Sequence, residues 1–388
     1  MPAALQKYPV NWVDGMKISR QHFYQTEQFV SDLVRDALSL SIPNFGYGLL
    51  PDMAFDVQIV CDFSQQINVS VANCQAVTAN GCRIEVLGVG TLSLHGSFKQ
   101  LMAEYRLNAD RDQTIYVALS VNVFEREAFG EPATDEIPPR QPNTQPVYQL
   151  SLIPAETIQI QSFGGAHILI GKIKLQNGEL RTDTKFIPAS MAVSSHQLLV
   201  EWYQKFGKIL EEIETFSFRI VQKIKIKSQK SSLTDNVQQL TESLIFALSD
   251  VLSSFRWRVP HQPPIFLLEA MLRLAYRLQS SLNLLIDKDK EELLAYFGEW
   301  SDLTATTIEG QLNALLNAPY VHADTANLFE QTEAFFTIIS NLFNKLSQLE
   351  FIGKRKGQNV FIVESPVHES QQPVASQPEK PKSRWSPI

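Results

Sequence analysis

The main change in the hydrophobic period of this chain falls near residue 190, and it limits the folds that the chain can adopt. Before that point most apolar residues recur at every second position, as in TIYVALSVNVF, which places on one face Ile115, Val117, Leu119, Val121 and Val123. Such alternation indicates a half-buried β-strand. From Val193 onward the spacing is three and four, which indicates helices. The sequence therefore predicts an α+β chain with a β part over 1–190, a helical part over 191–350 and a last segment over 351–388.

The β part has the features of antiparallel pairing. Val57 to Cys61 and Ile67 to Val71 alternate, and the pairs Asn80-Gly81 and Asn177-Gly178 stand between apolar runs, where a two-residue hairpin turn needs positive φ. Residues 127–147, which are rich in Pro, Glu and Gln, predict a long surface loop between strands. Together these features predict an N-terminal antiparallel β-sandwich.

One helix is predicted ahead of the strands, from Ser19 to Leu40. Phe29, Leu33 and Ala37 fall on one of its faces, and Pro43 ends it because proline cannot continue a helix.

The helical part consists of heptad seams. The first seam steps by three and four through Leu199, Trp202, Phe206, Ile209, Ile213 and Phe216. Similar seams run from Leu233 to Phe255, from Leu267 to Leu285 and from Leu328 to Leu349, with a less regular segment over 294–316. The connections are short, so neighbouring helices should be antiparallel and form a bundle. Further apolar residues lie off the seams, and packing within one chain or between subunits accounts for them: Leu210, Phe218, Leu248, Leu268, Leu272 and Phe336.

The composition excludes several classes of protein. A net charge of −7 gives no overall field to attract nucleic acid. The three Cys are an odd number with spacings unlike a zinc site, which predicts buried thiols in a reducing compartment. The sequence has no apolar run of about 18 residues and no signal-peptide pattern at its start. We expect a cytoplasmic protein that does not insert into a membrane and associates with one only through a partner.

The residues provide little evidence for catalysis. None of the seven His has a second His or Cys three or four residues away on a predicted helix, so no metal is expected. The GVG at 88–90 lacks the third glycine of a dinucleotide loop, and no G-x-S-x-G is present. The basic GKRKG at 353–357 is typical of a helix C-terminus. We expect no catalytic residue, no metal and no cofactor.

The last segment has the composition of a disordered tail from about residue 365. Its one large apolar side chain is Trp385, close to Lys380, Lys382 and Arg384. This arrangement makes Trp385 a candidate contact for a partner, with a terminus of no function as the alternative.

The most specialised stretch of the sequence is NWVDGMKISRQHF, at 11–23. Its residues could be the core of a first strand and its turn, with His22 capping the following helix and Gly15 supplying a positive φ. They could also be a family signature, made of Trp12, Gly15, Met16, Gln21, His22 and Phe23.

These residues resemble the N-terminal signature of TssK, the baseplate subunit of bacterial type VI secretion systems, with Arg20 in place of the usual proline. The segments KFIPASMAVSSHQLL and HQPPIFLLEAMLRLAYRL are similar to that family's sandwich-to-bundle junction and to one of its bundle helices. The resemblance extends over about residues 10–350.

The resemblance implies a structural protein. It implies a homotrimer whose sandwich "shoulder" holds the wedge proteins TssF and TssG, and whose helical "neck" projects towards the inner membrane. The family's C-terminal head, which docks on the membrane complex, would be missing or reduced, so the membrane-anchor partner would be of unknown identity. Two alternatives remain: a phage-like receptor- or sugar-binding sandwich on a helical stalk, and an enzyme with an active site in the sandwich.

Overall fold

The structure is a computed structural model that describes residues 5–108, 111–135, 137–159, 165–301 and 303–354, without the side chains of 89–91. Antiparallel sheets occupy its N-terminal half and helices dominate its C-terminal half. The predicted α+β class is confirmed. The candidate contact Trp385 and the tail lie outside the described residues.

The β part consists of two antiparallel sheets with four strands each. In the first sheet, β3 pairs with β4 on one side and with β1 and β2 on the other. In the second sheet the order is β6-β5-β7-β8. The strands are β1 Gly48–Leu49, β2 Asp56–Cys61, β3 Gln66–Val77, β4 Arg83–Ser97, β5 Gln113–Phe129, β6 Asn143–Pro154, β7 His167–Gln176 and β8 Glu179–Thr182.

The two sheets share one apolar core, as alternation in the sequence requires. The first sheet contributes Ile67, Val69 and Val71, and β5 contributes its alternate residues, including Ile115 and Val117. Cys74 and Cys82 are buried there and all three cysteines are free thiols. Burial raises the pKa of the Cys74 thiol to about 12, so it is unreactive at neutral pH.

The structure changes two details of the predicted strand connections. Asn177 and Gly178 form the expected two-residue turn, with φ of 52° and 83°. The β3–β4 connection is longer than predicted and spans 78–82, because the Thr78 side chain accepts a hydrogen bond from the Cys82 amide. The loop predicted over 127–147 is shorter, because Glu127 to Phe129 still pair with β6.

The helices follow the predicted seams. Helix α1 precedes the sandwich, α2 lies between β4 and β5, and the other six form the bundle. Their bounds are α1 Arg20–Ser41, α2 Phe98–Glu104, α3 Gln197–Ile226, α4 Ser232–Trp257, α5 Pro264–Asn283, α6 Asp287–Ser301, α7 Ala305–Leu316 and α8 Ala326–Gln348. The irregular segment over 294–316 is therefore parts of two helices, which Thr304 separates by capping α7 through its side chain.

The bundle core forms around α3, which packs against α4 and α8. Leu199, Phe206, Ile209 and Ile213 are buried, whereas Trp202 and Phe216 are partly buried against the same core. An aromatic cluster joins α3 to α8: the ring centroids of Phe206 and Phe329 are 5.8 Å apart, and those of Trp202 and Phe329 are 5.5 Å apart. Stacked rings of this kind stabilise a core beyond their buried area.

The loop between α7 and α8 joins the bundle to the second sheet. The carboxylate of Asp324 accepts a hydrogen bond from the Tyr116 hydroxyl of β5 at 2.9 Å and forms an ion pair with Lys172 of β7. Burial, followed by the charge of Asp324, raises the pKa of Tyr116, which therefore stays a donor.

His322 in the same loop forms a second contact. Its Nε2 donates to the carbonyl of Tyr47 at 2.8 Å, so Nδ1 accepts from the Tyr320 hydroxyl at 2.7 Å. Burial lowers the pKa of His322 to about 4, so the ring is neutral at physiological pH.

The strand β1 ties the sandwich to the segment that enters the bundle. The Leu49 amide donates to the carbonyl of Ala189, and the Met191 amide donates to the carbonyl of Leu49. Gly48 has φ of 115°, and a Cβ there would lie 2.0 Å from the Ala189 carbonyl oxygen. This approach therefore requires glycine.

Phe206→Asp should unfold the bundle, because it places an unpaired charge at a site with no solvent exposure. An uncompensated buried charge costs several kcal/mol. Thr215→Asp is the matched control, since it adds the same charge at an exposed site of the same helix. Thermal unfolding followed by circular dichroism should show a large fall in Tm for Phe206→Asp and little change for Thr215→Asp. Equal Tm values for the two variants would contradict the core position of Phe206.

Candidate assembly interface

Helix α1 buries its polar residues and exposes its apolar ones. Gln28, Asp32 and Arg35 face the sandwich with exposures of 9%, 0% and 3%. The opposite face carries large apolar side chains that are about half exposed or more: Phe23, Val30, Leu33, Val34, Leu38 and Leu40. At about 100° per residue the centres of these two faces lie roughly opposite each other. We call the apolar side the outer face of α1.

The structure shows which way the predicted stripe of α1 faces. The sequence placed Phe29, Leu33 and Ala37 on one face without assigning that face to the core or to the surface. Phe29 is only partly buried, and Leu33 and Ala37 are exposed. Charged residues occupy the buried side because they satisfy one another there.

The buried side of α1 is held by an ion pair. Arg35 donates from Nε to Asp32 Oδ1 at 2.8 Å and from Nη2 to the same oxygen at 2.7 Å. The other carboxylate oxygen, Oδ2, accepts the backbone amides of Gln6 and Lys7. A buried charge is tolerated only when it is paired and hydrogen-bonded, and Asp32 meets both conditions.

Asp32 therefore anchors the N-terminal arm, which we define as residues 5–19. Burial alone would raise the pKa of Asp32, but the amides of Lys7 and Gln6 and the Arg35 guanidinium together outweigh it and lower the pKa. Hydrogen bonds to the charged form have this effect. The arm is thus fixed to α1 while Asp32 is ionised.

A bulge in β5 provides the other attachment of α1. The pairing of β5 with β6 shifts register between Asn122 and Arg126, which leaves the Phe124 carbonyl free of the ladder. That carbonyl accepts the Tyr24 hydroxyl at 2.8 Å and the Gln28 side-chain amide at 3.0 Å. Arg126 adds an ion pair with Glu27 at 2.6 Å.

The β3–β4 connection supports the C-terminal half of α1. Gly81 lies so close to the helix that a Cβ would be 2.8 Å from the carbonyl oxygen of Arg35. This contact, the bulge and the arm fix the rotation of α1 about its axis. Among the described residues, none on this side of the sandwich buries the apolar side chains of the outer face.

The six signature residues gather at the start of α1. Ser19 precedes the helix, and its backbone amide donates to Nδ1 of His22 at 3.1 Å, so His22 caps α1. The Trp12 ring lies 5.8 Å from the His22 ring and is 51% exposed. Gly15 has φ of 78° in a turn that the Met16 amide closes onto the Val13 carbonyl. Gln21 and Phe23 are exposed and Met16 is partly buried.

Trp12 is therefore not a core residue of a first strand. The arm forms a turn and a cap in this region, and it exposes further apolar side chains beside Trp12: Tyr8, Val13 and Ile18. Sequence reasoning found these residues but did not predict that the apolar side of α1 faces outward. The available signal was the pair Asp32 and Arg35, at i and i+3 on the opposite side of the helix.

The other surfaces of the described residues provide little evidence for a metal site or a ligand pocket. No group of three or more His, Cys, Asp or Glu within them is placed to hold a metal. A cavity of about 210 Å³ between α3 and α8 is lined by Trp202, Lys185 and Lys205, but both lysines are paired, with Glu330 and Glu333. It lies on the bundle, whereas the sugar-binding alternative calls for a groove on the sandwich.

None of the helices in the described ranges has the length and the apolar character needed to cross a bilayer.

The chain is similar to solved structures that contain TssK. A crystal structure of TssK has 13% identity and a TM-score of 0.44, with 84% of this chain and 68% of that chain covered. TssK from the EAEC type VI secretion system, in complex with a nanobody, has 14% identity and a TM-score of 0.47, with 83% and 68% covered. A TssK-TssF-TssG baseplate subcomplex has 14% identity and a TM-score of 0.44, with 88% and 99% covered.

These are structures of the family that the opening signature resembles. No family model matches the sequence, and no curated protein matches it.

Asp32→Asn should destabilise the sandwich and release the arm. It keeps the shape of the side chain but leaves Arg35 buried without a counter-charge, which costs about 3–5 kcal/mol. Asp36→Asn is the matched control, since Asp36 is partly exposed on the same helix. Urea unfolding at pH 7 should show the loss for Asp32→Asn alone, and hydrogen exchange should show faster exchange of the Gln6 and Lys7 amides.

The same pair predicts a pH dependence. Because folding lowers the pKa of Asp32, its contribution is complete above the unfolded value of about 3.9 and is lost as the pH falls through the folded value. The unfolding free energies of the wild type and Asp32→Asn should therefore converge in acid. A difference between them that stays constant from pH 7 to pH 2 would exclude this role.

Proposed function

We propose that this protein is a structural baseplate component of a type VI secretion system, which links the wedge proteins to the membrane-anchoring part. The observation that carries the proposal is the outer face of α1. A domain that orients a helix with its charges inward and its apolar residues outward presents a surface built for a partner. The signature that resembles TssK lies at the start of this helix.

The partners that this resemblance implies are the wedge proteins TssF and TssG. In the proposed assembly the outer face of α1 and the arm are the contact on the sandwich. Exposed aromatic residues such as Trp12 and Phe23 are the type of residue that contributes most to protein interfaces. The role is structural, without catalysis or a cofactor, and its site is the cytoplasmic side of the membrane.

The proposed homotrimer uses the bundle. The off-seam residues Leu210, Leu248, Leu268 and Phe336 are buried within the chain, so they are not available for subunit contacts. Other apolar residues remain exposed on α4 and α5, including Phe246 at 67% and Tyr276 at 53%. They line shallow grooves of about 430 and 330 Å³ along the two helices, together with Arg277. We assign the subunit contact to this α4–α5 face.

The purified chain should have about three times its mass of 43.8 kDa in light scattering. Phe246→Asp should lower that mass, because it places a charge in the proposed contact. Phe63→Asp is the matched control, since Phe63 is fully exposed in the β2–β3 turn. A monomeric wild type would exclude the trimer, and an unchanged mass for Phe246→Asp would exclude this face.

We propose that the tail, through Trp385, provides the link to the membrane-anchoring part. Deletion of 365–388 should leave the trimer and its co-purification with TssF and TssG intact, while secretion by the bacterium falls. A segment of this composition with one aromatic residue as its anchor can provide such a tether. Full secretion by the truncated protein would exclude the tail as the link. Failure of the full chain to co-purify with TssF and TssG would exclude the baseplate role.

A further inference from the structure

The outer face of α1 contains a heptad seam. Phe23, Thr26, Val30, Leu33, Ala37 and Leu40 step by three, four, three, four and three. Phe23, Val30 and Leu40 are 59%, 52% and 67% exposed. A stripe with a mean period of 3.5 residues rotates by about 20° per heptad around a straight helix. A second helix that packs with a left-handed crossing follows that rotation and places its side chains between those of the stripe.

The geometry of α1 favours a helix over an extended peptide as the occupant. Apart from its ends, the backbone amides of α1 bond within the helix, so a strand has no main-chain groups to pair with. From Phe23 to Leu40 the seam is about 26 Å long, which matches a partner helix of about 18 residues. A left-handed pair of this length buries the whole stripe.

The charges that flank the seam indicate the chemistry of the partner. Glu27 lies on one side and Asp36 on the other, at positions equivalent to e and g of the heptad. Between 21 and 41 the only Lys or Arg is Arg35, which is buried against Asp32. Arg126 already pairs with Glu27, so Asp36 provides most of the free negative charge. A second copy of α1 brings only Arg20, its first residue, which lies before the seam begins at Phe23. A partner helix with Lys or Arg along e and g pairs with these flanks.

We propose that the outer face of α1 binds one amphipathic helix of a partner protein, apolar at heptad positions a and d and with Lys or Arg at e and g. This inference deepens the proposed function and rests on it, because it states the chemistry of the partner segment. The helix lies along the seam with a left-handed crossing. Its basic side chains pair with Asp36 and Glu27.

Two designed peptides test the proposal against the full-length chain. Both have three heptads with Leu at a and d, and they differ only in carrying Lys or Glu at e and g. Fluorescence anisotropy of the labelled peptides should show binding of the Lys peptide, with the Glu peptide about tenfold weaker. Leu33→Asp should abolish binding, because it places a charge in the seam. Leu284→Asp is the matched control at an exposed leucine of the bundle and should bind as the wild type does.

A charge reversal tests the electrostatic part of the proposal most directly. Asp36→Lys should reduce or reverse the preference for the Lys peptide while leaving the apolar seam intact. Equal binding of both peptides to the wild type, an unchanged preference in Asp36→Lys, or undiminished binding to a folded Leu33→Asp would each overturn the proposal.

The other molecule that could cover the outer face of α1 is a second copy of this chain. If neither peptide binds and Leu33→Asp lowers the mass of the chain alone, the occupant is another α1 and the proposal is wrong. The result is separable from the baseplate role. Peptide binding without co-purification of TssF and TssG would keep the helix site and reject the baseplate, and the reverse result would keep the baseplate and reject the helix.

Discussion

The buried ion pair of Asp32 and Arg35 determines how helix α1 is oriented on the sandwich. Such a pair contributes little net stability, because the cost of removing both charges from water offsets their attraction. What it provides is orientation: rotating α1 by half a turn would expose the pair and bury Leu33, but it would also leave the amides of Gln6 and Lys7 and the Phe124 carbonyl without partners. The apolar face is turned outward because these polar contacts hold the opposite side of α1 against the sandwich.

The carboxylate of Asp324 has a similar role where the sandwich meets the bundle. Asp324 receives the Tyr116 hydroxyl and the Lys172 ammonium from two neighbouring strands, and the neutral His322 adds a bond to the Tyr47 carbonyl. Both carboxylates therefore connect elements far apart in sequence through several donors each. The bundle and α1 both contact the second sheet through such polar contacts on its inner strands. A small apolar cluster that includes Tyr116, Phe186 and Ala323 adds to the contact with the bundle.

The sequence predicted the parts of the fold where one pattern dominates. The strand around Ile115 to Val123 alternates cleanly, and the seam through Phe206 steps regularly by three and four residues, so both were found. Helix α1 has an apolar side and a polar side, and deciding which one is buried requires knowing that Asp32 and Arg35 neutralise each other at i and i+3. That pairing is visible in the sequence, but the amides of the arm and the Phe124 carbonyl that complete it come from distant residues. The shorter connection at 130–142 was missed for a related reason: strand pairing with β6 overrides the loop-like composition of Glu127 to Phe129.

The strand β5 connects the site where α1 is attached to the site where the bundle is attached. One end carries the bulge that accepts Tyr24 and Gln28 of α1, and Tyr116, about eight residues earlier, reaches Asp324 of the bundle. This stretch is about 26 Å long and is bonded over much of its length to β6 on one side and β7 on the other. Hydrogen bonds in two ladders must slip together before such a strand can move along its axis. A force applied along α1 would therefore load both ladders in shear before it reaches the bundle.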